Sequence, residues 1–575
     1  MCSDEIFESC RSTIRDAVGI PLQTPIERPL VKGLNRYCRT LNCRPAMFSG
    51  LRRTVIGTDL NAEYCELSAA LTLPDSPRQQ PRPTDADRVR MSAMDARAEP
   101  TSPPAGATPR RLRNIDELPG PRGWPIVGNL AQVRMAHIHQ DIERWCPQYG
   151  PIFRVRLGPT RLLVVADHEI VNTLLRDRPD GFQRSSRLRK VSIEMGATPG
   201  LFSAEGDAWR HQRRMVMASF APGHIRAFLP LLLKVTQRLQ SRWRKAARAG
   251  LSIDLQADLK RFTVDAIAGL AFGTEVNTLE SGDDVIQRHL DIVLAGLYRR
   301  VMSPLPYWRW IRLPADRQME RSNAAVRDAI NGFIAAARTR MQADPTLRDQ
   351  PRNLLEAMLA AADAGDTNVD DRDVAGNVST MLFAGEDTTA NTLAWLIWLL
   401  QRHPEALGRA QKEVRDSVPD IATSTLECID ALYYLDACAA EAMRLKPVAP
   451  FLGLEALRDT TVADVRVPAG TLVWCVMRHD SVDDRYFAHA AAFEPERWLD
   501  DAGATKRVAM PFGSGPRICP GRYLALLEIK LAMAMLLGSF EIDAGDSADG
   551  ADVREVMHFT MNPVGLRMRL HERSP

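Results

Sequence analysis

One cysteine in this chain is set up for chemistry. Cys519 sits in Phe512-Gly513-Ser514-Gly515-Pro516-Arg517-Ile518-Cys519-Pro520-Gly521, a loop with three glycines, two prolines and one arginine. A helix-like apolar stretch follows at once, from Tyr523 to Leu537. Pro520 suits the first position of that helix, where a missing N–H costs nothing. A helix N-terminus carries unpaired N–H groups and partial positive charge, which favour thiolate over thiol. Gly515 and Gly521 leave the backbone open to a large flat group. Arg517, on the thiol's side of an extended loop, can pair with a ligand carboxylate. A thiolate with donors, a flat surface and a cation describes a haem iron ligated by sulfur.

Three further constellations carry chemistry. Ala384-Gly385-Glu386-Asp387-Thr388-Thr389 falls mid-way along a long apolar helix, expected from Val374 to about Arg402. Glycine there costs about 1 kcal/mol against alanine, and Thr388 can turn its hydroxyl back to the carbonyl of Ala384, bending the helix and opening its ladder. An acid and an alcohol beside such a groove can hold a small polar molecule and pass it protons. Glu441-Ala442-Met443-Arg444 places two opposite charges on one helical face. Trp209 and Arg213, four apart, share a face and offer one indole donor and one charged fork.

The pattern Phe-x-x-Gly-x-Arg-x-Cys-x-Gly resembles the haem-binding signature of the cytochrome P-450 family, the haem-thiolate monooxygenases, with each position filled. That resemblance implies Cys519 as the iron ligand of haem b, with Phe512, Gly515, Arg517 and Gly521 in the cofactor-binding loop. The Ala384–Thr389 segment resembles the family's oxygen-binding helix and gives Asp387 and Thr388 the delivery of protons during dioxygen activation; Glu386 falls at a variable position. Trp209 and Arg213 resemble the family's Trp-x-x-x-Arg, which binds a haem propionate, so Arg210 and Arg214 would face outward, where they could dock an acidic electron donor. Glu441, Arg444 and Arg497, the last from Phe493-Glu494-Pro495-Glu496-Arg497-Trp498, would form a buried structural triad. One departure is visible. Many relatives carry an arginine near the position of Leu454, whereas here Arg458 lies four residues later, which puts one propionate contact in doubt.

The implied fold is mainly α with a small β-rich lobe. The implied reaction inserts one atom of dioxygen into an apolar organic substrate, by hydroxylation or epoxidation. A peroxide-using or peroxide-rearranging haem-thiolate enzyme and a non-catalytic haem sensor are the rival readings. The stretches 182–202 and 447–453 resemble substrate-contacting regions and are mostly apolar or basic. With no flavin or ferredoxin module read in residues 1–575, electrons are expected from a ferredoxin or similar donor with its NAD(P)H reductase.

The elements that position these groups are legible in part. Ile152–Leu157 and Arg161–Ala166 read as a hairpin turning at Gly158-Pro159-Thr160, and Thr471–Val476 reads as a further strand. A helical tract runs from about Trp209 to about Leu445, broken near Pro222, Gly250, Pro304, Pro314 and Gly365. Strands and helices do not alternate, which argues against a parallel α/β sheet. The chain has 575 residues, 45% of them hydrophobic, enough for a large core. Its net charge of +3 favours neither nucleic acid nor an anionic membrane as partner. The longest apolar run, Leu393–Leu400, is too short to span a bilayer. The first residues are acidic and read as no signal peptide, so a cytoplasmic protein without a transmembrane anchor is expected. Scattered cysteines read as free thiols, and Cys38-x4-Cys43 is a poor zinc spacing.

Residues 74–110 are proline-rich and polar. Residues 1–110 are therefore expected to be a low-order N-terminal extension ahead of a catalytic domain over 111–575. The first 90 residues are read as lying outside the working protein, with Met91 and Met94 opening a short leader.

Overall fold

The computed structural model describes residues 111–573, apart from 221, 282–284, 365–369, 500–504 and 544–552. The expected extension over 1–110, with Met91 and Met94, lies outside the described residues. The described chain is mainly helical with small sheets, as expected.

The helical tract breaks where its prolines and glycines demand. Helix α1 (Gly206–Ser219) is followed by α2 (Pro222–Arg248), which has Pro222 at its first position and Gly250 at φ 62° beyond its end. Helix α3 (Leu255–Phe272) is capped by the Asp254 carboxylate on the N–H of Ala257 and closed by Gly273 in the left-handed region. Helices α4 (Val285–Met302) and α5 (Pro314–Ala343) follow, α5 again opening on proline. The longest is α6 (Asp371–Arg402), where Asp370 and Asp373 form a reciprocal capping box. It starts three residues earlier than the apolar pattern suggested, because the caps and not the apolar residues set its end. Helix α7 is Tyr433–Leu445 and α8 is Arg522–Ser539.

The core is built where α3 crosses α6. Both are apolar on most faces, as a helix surrounded by protein must be. A Cβ on Gly385 would lie 3.1 Å from Ile267 of α3, so the glycine permits close packing of the two helices. The helix runs unbroken through this turn, and the expected opening of its ladder is not found. The hydroxyl of Thr263 donates to the backbone carbonyl of Glu386, which ties the same turn to α3 from the side.

The β-rich part is a five-stranded sheet. Strands β1 (Ile152–Leu157), β2 (Thr160–Val165), β3 (Phe182–Arg184), β4 (Phe451–Ala456) and β5 (Leu472–Val476) lie in the order β1-β2-β5-β4-β3. The β1–β2 turn is one residue tighter than expected: Leu157 pairs with Thr160, and Gly158 at φ 60° takes the left-handed position. A separate hairpin, β6 (Arg554–Met557) and β7 (Met561–Val564), carries His558, Phe559 and Thr560 at its tip.

Glu441, Arg444 and Arg497 do come together. Arg444 and Glu441 are bidentate at 2.7 Å with both side chains fully buried, and Arg497 Nε reaches Glu441 at 3.0 Å. The Trp498 indole and the N–H of Glu494 complete the carboxylate's partners, while Arg444 also donates to the carbonyls of Ser481, Ala490 and Ala492. Burial alone would raise the Glu441 pKa; the Arg444 guanidinium holds it below the ordinary range. The knot thus fastens α7 to the irregular segment 480–498. Glu441→Ala leaves two arginines short of their acid and should destabilise the fold by roughly 3–5 kcal/mol, read as a lower urea midpoint with an unchanged slope.

Candidate active site

The Cys519 loop is held by its own backbone. Cys519 N–H donates to Phe512 O at 3.0 Å and Ile518 N–H to Gly515 O at 3.0 Å. Gly515 has φ 71°, and a Cβ there would stand 2.7 Å from the carbonyl of Leu175, so the glycine is required twice over. Helix α8 begins at Arg522 with Gly521 as its cap. Pro520 is therefore not at the first helical position, and Cys519 lies ahead of the helix end. The thiol's chemistry differs accordingly from the sequence expectation. Burial pushes its pKa up; the N–H of Gly521 and the charges of Arg213 and Arg522 pull it down without overcoming that rise. Stable thiolate at this position calls for something stronger than the helix end, and a metal ion deprotonates a coordinating thiol outright.

Cations crowd this loop. The Arg517 guanidinium lies 4.7 Å over the Trp209 ring, donates to Ala204 O at 2.6 Å, and forms an ion pair with Glu205. Burial first, then its arginine neighbours against Glu205, pull Arg517 down to about 10. Arg213 of α1 is close enough to Cys519 to lower the thiol's pKa. Two arginines that the motifs did not single out join them. Arg178 is 4% exposed, and its Nε and Nη2 have no hydrogen-bond partner. Arg184 donates to Phe202 O at 2.8 Å and is held well below its ordinary pKa by burial and by Arg178 and Arg517, with Glu205 opposing. In the β3–β4 register Arg184 stands opposite Leu454. Arg458 instead pairs with Asp177 at 3.1 Å on the surface. So the strand position left apolar by Leu454 gains its cation from across the sheet.

Arg178, Arg184 and Arg517 draw on one shared carboxylate, Glu205, and Arg213 finds Cys519 and Arg522 rather than an acid. Partly unpaired buried guanidinium groups around an accessible thiol fit a cofactor that brings two carboxylates and a thiolate-binding metal. The residues fit.

Helix α6 supplies the acid and the alcohol. Thr388 Oγ1 donates to Ala384 O at 2.7 Å, as expected. Ala384 is exposed although it lies mid-helix among buried residues, so this face of α6 borders open space. Asp387 is buried and accepts from Asn391 at 3.0 Å and from the Thr560 hydroxyl, with Lys260 of α3 at 3.0 Å. Thr388 is not among these partners, so the structure keeps the two adjacent residues on different faces. Burial pushes the Glu528 carboxyl of α8 up to about 8, opposed by a hydrogen bond with Thr389, the residue after Thr388. The partners of Asp387 and Thr389 carried no distinct sequence signal: Lys260 and Glu528 each have another charge within two residues, Arg261 and Lys530. Arg210 and Arg214 are exposed as expected, but Arg210 is already paired with Asp180 and Asp207, which weakens it as a docking charge.

A mainly helical fold that offers one loop thiol beside cation-lined, partly open space defines the class of haem-thiolate proteins. The chain belongs to the cytochrome P450 family: the family model described as Cytochrome P450 matches residues 118–569. It is 28% identical to a self-sufficient cytochrome P450 monooxygenase of Aspergillus niger, over 80% of this chain and 43% of that relative. It is 29% identical to cyclooctat-9-en-7-ol 5-monooxygenase of Streptomyces melanosporofaciens, over 78% of this chain and 94% of that relative. It is 27% identical to thromboxane-A synthase of Rattus norvegicus, over 76% and 88%. The chain spans less than half the length of the self-sufficient relatives that it matches.

Glu528 gives this site a pH signature. Its folded pKa lies above the ordinary 4.5, so its stabilising contribution is whole below that value and is lost as pH rises through about 8. Glu528→Gln should flatten the decline in Tm between about pH 5 and pH 9, measured by thermal melts across that range.

Proposed function

We propose that this chain is a haem-dependent monooxygenase that inserts one atom of dioxygen into a small apolar substrate, by hydroxylation or epoxidation. The observation that carries the reading is a half-buried loop thiol, Cys519, beside buried arginines that share too few acids. When bound through Cys519, haem b supplies the activation of dioxygen.

The chain's own groups have distinct tasks. The Cys519 sulfur gives up its proton to serve as metal ligand. Trp209, Arg213 and Arg517, joined by Arg184, would hold the cofactor's carboxylates, and Phe512, Gly515 and Gly521 would shape the loop that receives it. Thr388 holds a polar reactant by its hydroxyl, and Asp387 supplies the proton that the alcohol passes on. An apolar substrate is supported by the tilted Phe202–Phe559 pair, 5.9 Å between centroids, which joins segment 182–202 to the β6–β7 tip. A cytoplasmic setting is supported by free cysteines, among the described residues Cys146, Cys428, Cys438, Cys475 and Cys519.

Electrons come, on this reading, from a ferredoxin or similar donor with its NAD(P)H reductase; the self-sufficient relatives represent the competing arrangement. NADPH and substrate alone should give no product, and adding ferredoxin and reductase should start turnover. Product without any added donor or peroxide refutes the separate donor. Cys519→Ser should abolish the thiolate-type absorbance of the reduced, carbon monoxide-bound protein together with turnover; an unchanged spectrum refutes the site.

The peroxide-using and sensor readings are disfavoured by an acid and an alcohol at consecutive positions of α6, each held by its own partners. Thr388→Ala should lower product per electron by roughly tenfold and release the difference as peroxide, measured by product and peroxide assays against NADPH consumed.

A further inference from the structure

Lys260 is a charge on the buried side of α3 for which the reading above has no use. It is 8% exposed. Its Nζ lies 3.0 Å from Asp387 Oδ1 and 3.7 Å from Glu386 Oε1, both on α6, and it forms an ion pair with Asp291 of α4. The Asp291 side chain is 45% exposed. Three titratable groups in direct contact thus connect solvent to the acid that precedes Thr388. The remaining groups around Asp387 are His558 and Thr560 at the β6–β7 tip, and Asn391, which is itself held by Gln256 at 2.8 Å. Burial and the Lys260 charge keep His558 below its ordinary pKa, so it is the neutral member of the set.

A buried lysine facing carboxylates can be a counter-ion and nothing more. The connectivity argues for more than that. A counter-ion for α6 needs no contact with solvent-facing Asp291, whereas a proton path needs both ends. We propose that Asp291 and Lys260 form the solvent end of the proton supply to Asp387. The inference rests on the monooxygenase reading, because only that reaction consumes protons at Asp387 and Thr388.

The transfer balances. A proton leaves Lys260 Nζ for the Asp387 carboxylate, and Asp291, protonated from bulk water, returns one to the amine. Lys260 ends as it began, an ammonium, and the net movement is one proton from solvent to Asp387. The facing carboxylates favour the ammonium, so the neutral amine is short-lived and its formation is the costly step of the relay.

The discriminating substitution is Lys260→Arg. Arginine keeps the charge and the contacts, yet a guanidinium cannot be deprotonated in a protein. A counter-ion role survives that change and a relay does not. Asp291→Asn is the second variant; it alters a half-exposed side chain and leaves the Lys260–Asp387 contact in place. With ferredoxin and reductase, both variants should keep wild-type haem content, lose roughly tenfold in product per electron, and show a larger solvent deuterium isotope effect on product formation. Hydrogen peroxide, which arrives with its protons, should rescue both. Wild-type product per electron and isotope effect in both variants overturn the relay and leave the monooxygenase reading standing. A wild-type protein that forms no product with either electrons or peroxide overturns the monooxygenase reading and the relay with it.

Discussion

Buried positive charge governs this structure. Arg178, Arg184 and Arg517 are packed around a single acid, Glu205, and the desolvation of each is only partly offset. An isolated chain gains nothing from such an arrangement, because an unpaired buried charge is among the costlier features a fold can carry. On the haem reading proposed above, that cost is offset when the cofactor's carboxylates arrive. The same holds for Cys519, whose environment resists ionisation despite the nearby cations. Both features make sense together on the haem reading proposed above: buried cations suit an anionic edge, and a thiol that resists ionisation suits a metal that deprotonates it.

Helix α6 shows how one element serves packing and chemistry without compromising either. Residues on its α3 side are fixed by close contacts: Gly385 against Ile267, and the Glu386 carbonyl against Thr263. Thr389 reaches the other way, to Glu528 on the helix that follows the Cys519 loop. Between these anchors Ala384 and Thr388 face open space. A turn clamped from both sides can present a hydroxyl with little freedom to reorient, which is the condition for positioning a proton donor. The back-bond from Thr388 to Ala384 is then a means of aiming the hydroxyl, since the helix stays continuous.

Local motifs made much of this legible in the sequence. The Cys519 loop, the Thr388 turn and the Glu441–Arg444 pair are each written within ten consecutive residues, and their geometry follows from short-range sterics. What the sequence did not reveal depends on residues far apart in the chain. Arg184 becomes a site residue only because strand pairing puts it across from Leu454. Lys260 meets Asp387 only because α3 packs on α6. The start of α8 departs from the sequence expectation for a different reason: Pro520 is compatible with the first turn of a helix, but the loop uses Gly521 as the cap instead.

Arg184 stands directly opposite Leu454 on the paired strand. A guanidinium on either of two facing strands can deliver its charge to the same region, since paired residues in a sheet lie about 5 Å apart and arginine is longer than that gap. The requirement is therefore for charge at a location, and the backbone can meet it from more than one position. Arg458, the nearest arginine along the chain, is instead spent on Asp177 at the surface. Distance along the sequence is the wrong measure of equivalence there: the sheet register sets Arg184, and not Arg458, opposite Leu454.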